Sequence, residues 1–493
     1  MRGKNSFFSV GKKRFDMVKE AGIDKKACLV VLLLGTSMAA IDNSIVNLSL
    51  PVMRRQFSSN LTEVQWVLTA YMLSFSIFIP LTDWLKNRIG FFNLYIASTA
   101  LFTIGSLLCG LSPGLNWLIA ARVLQAIGGG AITPTALAII STVFPEKERG
   151  RAMGIWGLGA VMGPALGPTL GGILTQNFGW PAIFFVNVPI GLVTLILSYK
   201  YLRFLKAGQG NKEPFDTAGF ISLSIFLTTL QYSITKIETI SFPSLTSIAI
   251  ALTLTASFLF FLYSSKKRRS PLLDLSLFTN FKFVNGLGLT FVRSVAMFGG
   301  LFLLPFLFQG YLGYSETASG LMILPNALMV GIIMPFAGKW TDSHGYRSVS
   351  IAGLAVLGLS MFMFGQLHLG SAVLIILLAM LFRGTGFGML TAPLTAAVMN
   401  AVPKEKAAMA SSIATLTIQL SGALGVSAIS LIHQVFENRY IAEGASAGSA
   451  EHYALRNCFF LLGFLLIIAI IPALRLAGKK ENLAGKQILM DAA

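Results

Sequence analysis

The sequence predicts an all-α polytopic membrane protein with fourteen transmembrane helices: two pseudo-equivalent six-helix bundles plus an inserted helix pair. Three observations predict it. The 493 residues are 54% hydrophobic and only 12% charged, about half the charged share of soluble domains. Apolar stretches of about 20 residues, the length that crosses a bilayer, recur from end to end. Basic residues concentrate in alternate gaps between those stretches.

The apolar stretches fall at 27–50, 64–85, 92–111, 116–142, 152–176, 182–202, 215–235, 242–263, 282–311, 317–340, 347–368, 371–399, 407–432 and 456–476. An even number returns the C-terminus to the side of the N-terminus. With both ends in the cytoplasm, the inner gaps hold most of the basic residues. Examples are Lys12, Lys13 and Arg14 in the leading tail, then Lys86, Arg88, Lys147, Arg149 and Arg151, and the run Lys266-Lys267-Arg268-Arg269. The outer gaps hold only Arg54, Arg55, Lys236, Arg439 and Arg456. Loops rich in Lys and Arg stay inside, so the net charge of +18 reads as topology and not as affinity for nucleic acid. The polar segment 433–455 is expected to be the longest external loop.

Residues Leu124 to Arg151 (LQAIGGGAITPTALAIISTVFPEKERGR) match Phe382 to Met409 (FRGTGFGMLTAPLTAAVMNAVPKEKAAM) at one offset. Asn87-Arg88-Ile89-Gly90 matches Asp342-Ser343-His344-Gly345 nearly in register. The expected organisation is therefore a basic cytoplasmic tail (1–26), an N-terminal six-helix bundle (27–204), an inserted two-helix segment (205–265), a cytoplasmic linker (266–280), a C-terminal six-helix bundle (281–477) and a cytoplasmic tail (478–493). Paired halves with a site between them are a transporter layout.

In the fifth stretch, Gly159, Gly163, Gly167 and Gly171 recur every fourth residue, with Gly172 beside the last. They fall on one helical face, where glycine lets another backbone approach closely. Pro164 and Pro168 each remove a backbone donor, and a bend is expected there. The three cysteines and four histidines show no metal spacing. Gly384-Thr385-Gly386-Phe387-Gly388 follows no strand and is a packing motif, not a phosphate loop. No enzyme, no cofactor and no metal are expected.

Several motifs occur in order. Ile41-Asp42-Asn43-Ser44-Ile45-Val46-Asn47-Leu48-Ser49-Leu50-Pro51 lies in the first stretch and Trp66-Val67-Leu68-Thr69-Ala70-Tyr71 opens the second. Arg122-Val123-Leu124-Gln125-Ala126-Ile127-Gly128 lies in the fourth, the glycine-proline run in the fifth, and Phe184-Phe185-Val186-Asn187-Val188-Pro189 in the sixth. Gly338-Lys339-Trp340-Thr341-Asp342-Ser343-His344-Gly345-Tyr346-Arg347 follows in the second half. Together they resemble the major facilitator superfamily, and more narrowly its fourteen-helix drug:proton antiporters of the EmrB/QacA type. The glycine-proline run resembles that family's antiporter motif. The segments around Asp83, Arg88 and Gly90, and around Gly338, Asp342, Gly345 and Arg347, resemble its cytoplasmic gating loops. The first copy departs from the pattern, with Asp83 where glycine is usual and Asn87 where aspartate is usual.

A charge inside a bilayer costs about 2.5–3.5 kcal/mol on insertion scales. Asp42, Arg122, Arg293 and Arg383 stand well inside predicted helices, which makes each a functional candidate. Asp42 and Arg122 fall at similar depth and are expected to pair. The resemblance implies proton coupling for them; the alternative is a fixed pair that sets helix register. Arg293 and Arg383 have no carboxylate at matching depth. They either meet backbone carbonyls, line water, or bind an anionic group of a substrate. Asn47, Gln125, Asn285, Gln309 and Asn326 are candidate cavity residues, against the commoner role of helix–helix bonding. Asn187, beside Pro189, reads as structural.

The resemblance implies a secondary active exporter driven by the proton gradient and working by alternating access, in a bacterial inner membrane. Its expected partners are the lipid bilayer, protons and an amphipathic small-molecule substrate, with a periplasmic adaptor protein left open. The alternatives are export of a specific organic anion, such as a siderophore, carboxylate or acidic lipid, and a non-transporting sensor or scaffold of the same fold.

Overall fold

Apolar segments of this chain become helix because a backbone in lipid must satisfy its own polar groups. The computed structural model describes residues 24–206, 215–237, 244–268, 272–403 and 406–478. The expected tails and part of the linker lie outside the described residues, as do the side chains of Asp83 and Pro164. Among the described residues, twelve helices are long and apolar enough to cross a membrane. They are α1 (Lys25–Gln56), α2 (Leu61–Thr82), α3 (Trp84–Gly110), α4 (Leu115–Val143), α6 (Ala182–Tyr201), α7 (Thr217–Lys236), α8 (Leu245–Lys267), α9 (Phe281–Tyr311), α10 (Glu316–Gly365), α11 (Val373–Met399), α12 (Met409–Ala442) and α13 (Ala447–Ala473). The less apolar α5 (Glu146–Phe178) comes between α4 and α6.

Short polar side chains set where helices begin. The Asp24 carboxylate accepts from Lys26 N and Ala27 N, and Asn60 and Glu63 close a capping box ahead of α2. Ser315 and Ser446 cap α10 and α13. Such caps occupy amide groups that the first turn leaves free.

Two glycines set the reversals. Gly90 (φ 81°, ψ 164°) lies inside α3 and divides it, so that 84–89 continues α2 and 91–110 forms the returning arm, and Gly345 (φ 82°, ψ 173°) folds α10 into a first arm, 316–344, and a second arm, 346–365. Side chains rarely adopt this backbone geometry. The same crossing is built twice around other glycines. A Cβ on Gly128 would lie 2.5 Å from Phe102 N, and one on Gly386 would lie 2.5 Å from Leu357 N. A Cβ on Gly130 would lie 3.4 Å from Phe75 O, and one on Gly388 would lie 3.4 Å from Val330 O. These pairings keep the register of the sequence repeat.

α5 runs as one continuous helix from Glu146 to Phe178, through the positions of Pro164 and Pro168. Its glycines lie along α1. Gly159 meets Ser37, Gly163 meets Ala40, Gly167 meets Ser44 and Gly171 meets Ile45. Ser44 Oγ donates to Gly163 O at 3.1 Å. The α7–α8 hairpin lies against α12, tied by Gln231 Nε2 donating to Ser427 Oγ.

Residues 24–206 and 281–478 meet at the end of the molecule that carries the α9–α10 turn. Arg54 pairs with Glu451 at 3.4 Å and Arg55 with Glu316 at 3.5 Å. Thr62 Oγ1 donates to Gln434 Oε1 at 2.9 Å, Gln309 Nε2 to Leu48 O at 2.9 Å, and Thr169 Oγ1 to Gly320 O at 3.1 Å. Toward the other end, Gly154 and Gly157 of α5 and Gly331 and Gly338 of α10 have nothing within 4 Å of an added Cβ. The two helices touch at Gly172–Glu316 and Thr169–Gly320, while these four glycine positions are unpacked.

The segment 433–455 is not a loop. α12 extends to Ala442 and α13 begins at Ala447. An Arg439–Glu443 pair one turn apart, at 2.8 Å, carries the helix past its apolar part.

Candidate functional site

Pro51 has no N–H to offer Asn47, so the Leu50 N–H reaches the Asn47 carbonyl instead and Val46–Ser49 tightens to a 3-10 turn. Asp42 lies one turn before it, on the face of α1 toward α4. Arg122 and Gln125 stand three residues apart on α4 and share a face.

These side chains meet in a closed cluster. Arg122 NH1 donates to Asp42 Oδ2 at 2.6 Å and to Gln125 Oε1 at 2.6 Å. Gln125 Nε2 donates to Asp42 Oδ1 at 2.8 Å and reaches Ser106 Oγ at 2.7 Å. Asn187 Nδ2 also donates to Asp42 Oδ1, at 2.8 Å. Arg122 Nε donates to Val67 O at 3.1 Å, and its guanidinium lies 4.0 Å from the centre of the Tyr71 ring. Asp42 and Arg122 are both 0% exposed. The Asp42 carboxylate accepts three donors, and Arg122 has one nitrogen, NH2, without a partner. A proton arriving on Asp42 would cancel the charge that holds Arg122, leaving the guanidinium buried and unpaired. That is a costly state which favours rearrangement.

Asn187 reads as structural from the sequence and Tyr71 only as part of a motif, whereas both lie against the Asp42–Arg122 pair. The available signal was polarity: each is a polar side chain inside an apolar stretch and within a quoted motif.

The other sequence candidates are dispersed. Asn47 Nδ2 donates to Ser44 O of its own helix at 3.2 Å. Gln309 bridges to Leu48, as above, and Asn285 Nδ2 donates to Pro472 O at 3.1 Å. Arg383 NH1 donates to Asn326 Oδ1 at 2.9 Å and NH2 to Met297 O at 2.8 Å. Arg293 NH1 lies 3.4 Å from Thr391 Oγ1. Arg88 lies over the Trp84 ring at 5.2 Å. Arg347 Nε donates to Leu476 O at 2.9 Å, and Tyr346 N to Ala477 O at 3.1 Å, so the Gly345 turn is clasped by the chain after α13. Asp342 is exposed and Gly338 borders open space. Gly172 packs on Glu316, and Pro168 O on Gly320. Among the described residues, no group of three or more His, Cys, Asp or Glu is placed to hold a metal ion.

A helical membrane protein with a buried ion-pair cluster in one half, and halves that touch at one end, belongs to the class of polytopic transport proteins. More narrowly, the chain belongs to the Major Facilitator Superfamily, whose family profile matches residues 32–426 and 289–487. It is 33% identical over 400 residues to the multidrug resistance protein Stp of Mycobacterium tuberculosis (strain ATCC 25618 / H37Rv), covering 80% of this chain and 74% of that one. It is 28% identical over 404 residues to the multidrug export protein EmrB of Escherichia coli K12, covering 81% and 78%. It is also 28% identical over 447 residues to the riboflavin transporter RibZ of Clostridioides difficile (strain 630), covering 89% and 96%. In fold, it is similar to an inward-facing, occupied bacterial homologue of the human lysosomal transporter Spinster. That match has a TM-score of 0.65 and 17% identity, and covers 90% of this chain and 95% of that one.

Proposed function

We propose that the protein is a proton-coupled exporter of amphipathic organic compounds in a bacterial inner membrane, working by alternating access. Asp42 carries the proton and Arg122 reads its charge state. The sealed Asp42–Arg122–Gln125–Asn187 cluster is the observation that carries this reading. Its ion pair exists only while the carboxylate is charged, which is how protonation would be linked to helix rearrangement. Counting the two arms of α10 separately, and including α5, supports fourteen crossings, and the basic inner gaps favour cytoplasmic termini. In that orientation the seal between Arg54, Arg55, Glu316 and Glu451 faces outward, and the space beside Gly154 and Gly338 opens inward. A gradient of about 2.3 kcal/mol per charge per 100 mV drives concentrative export without ATP. Multidrug-named relatives support the direction and the breadth of cargo.

The test is substrate-driven proton flux in proteoliposomes holding the full chain. Wild type is expected to move protons when an amphipathic drug is added. Asp42→Asn is expected to abolish that flux while still binding drug. Wild-type flux and pH dependence in Asp42→Asn would sink the assignment.

A further inference from the structure

Two buried charges take no part in the Asp42 cluster. Arg293 on α9 and Arg383 on α11 are 4% and 3% exposed. Neither has an acidic partner among the described residues, and the stretches 281–311 and 373–399 contain no Asp or Glu at all. A guanidinium offers five N–H donors. The bonds described here take one from Arg293 and two from Arg383, and the Nε of each is buried without a partner.

The two groups lie on one seam. Arg383 reaches Met297, one turn along α9 from Arg293, while Arg293 lies 5.1 Å from the centre of the Phe387 ring, one turn along α11 from Arg383. Arg293 NH1 also reaches Thr391, two turns along α11 from Arg383, so the guanidinium positions are staggered by one to two turns, ~5–12 Å. The seam lies close to the contact between halves. Phe298, next to Met297, packs on Gly422, which also meets Met72 of α2. The sequence repeat sets Arg383 opposite Gln125. In the first half that position serves an aspartate supplied by the chain; in the second half the chain supplies cations and no anion.

We propose that Arg293 and Arg383 form an anion-binding subsite, so that the cargo is an amphipathic organic anion. A carboxylate, sulfonate or phosphate group docks on the two guanidinium forks, with Phe387 and Phe298 as the apolar wall for its body. Arginine forks suit such planar or tetrahedral oxyanions. This inference rests on the exporter reading and narrows its cargo.

The test is equilibrium binding to the full chain in lipid nanodiscs, with two dyes on one ring frame: anionic fluorescein and a cationic rhodamine ester. Wild type is expected to bind fluorescein more tightly. Arg293→Gln and Arg383→Gln are each expected to weaken fluorescein about tenfold or more, with rhodamine unchanged or tighter. Lysine at either position is expected to restore part of the loss. Unchanged fluorescein affinity in the glutamine variants overturns the proposal, as does equal weakening of both dyes, which marks a structural pair. If the glutamine variants fail to fold, the wild-type preference between the dyes decides: preference for rhodamine overturns it. Binding needs no gradient, so failure here leaves the Asp42 assignment standing, and failure of Asp42→Asn to alter flux leaves this binding result standing.

Discussion

Asp42 and Arg122 are both inaccessible to water, so their pairing is a high-stakes contact. Breaking a buried pair by removing one partner costs about 3–5 kcal/mol, because the other charge stays buried. Arg122→Ala is therefore predicted to lower the thermal unfolding midpoint by several degrees. Arg122→Lys tests something finer. It keeps the charge but loses the planar fork that serves Asp42, Gln125 and Val67 at once and stacks on Tyr71. It is predicted to fold near normally and to lose about tenfold or more in drug-driven proton flux; wild-type flux would show that charge alone suffices. Asp42 and Arg122 stood out in the sequence because a charge in an apolar stretch is expensive. Asn187 and Tyr71 did not. Many polar residues punctuate these helices, and only the packing of α2 on α4 and of α6 on α1 selects the two that converge on this pair.

At the scale of the element, α5 explains why its glycines fall on one face. A side chain at Gly163 would sit 2.6 Å from the Ala40 backbone carbon, two residues from Asp42. Overpacking typically costs about 1–3 kcal/mol. Gly163→Leu is predicted to lower the unfolding midpoint and to reduce flux. Gly154→Leu, with nothing within 4 Å, is predicted to leave the midpoint unchanged. Equal effects at both positions would refute the seam. The glycine spacing was legible because helical periodicity is local. The partner of that glycine face, α1, was not. Nor was the helical course of 433–442, because its polarity hid a helix extended past the apolar span.

At the scale of the whole molecule, hydropathy made the all-helical membrane fold legible, since each crossing announces itself in about 20 residues. The seal between halves was not legible. Arg54 and Arg55 looked like exceptions to the charge bias. Each meets an acid distant in sequence, Glu451 and Glu316, and no local pattern reveals that. If the halves rock, this seal must open once per cycle, and fixing it shut must stop transport. Thr169 Oγ1 lies 3.1 Å from Gly320 O across the seal, close enough for a short bifunctional thiol crosslinker between Thr169→Cys and Gly320→Cys. The native Cys28, Cys109 and Cys458 are buried and free, so the new pair is expected to react first. Cross-linking is predicted to abolish drug export, with recovery when the linker is cleaved by reductant. A cysteine at Gly338, beside the open space, is predicted to remain reactive to a cytoplasmic thiol reagent in the locked protein. Full transport by the cross-linked protein would show that the seal does not open during the cycle, and would rule out alternating access through this seam.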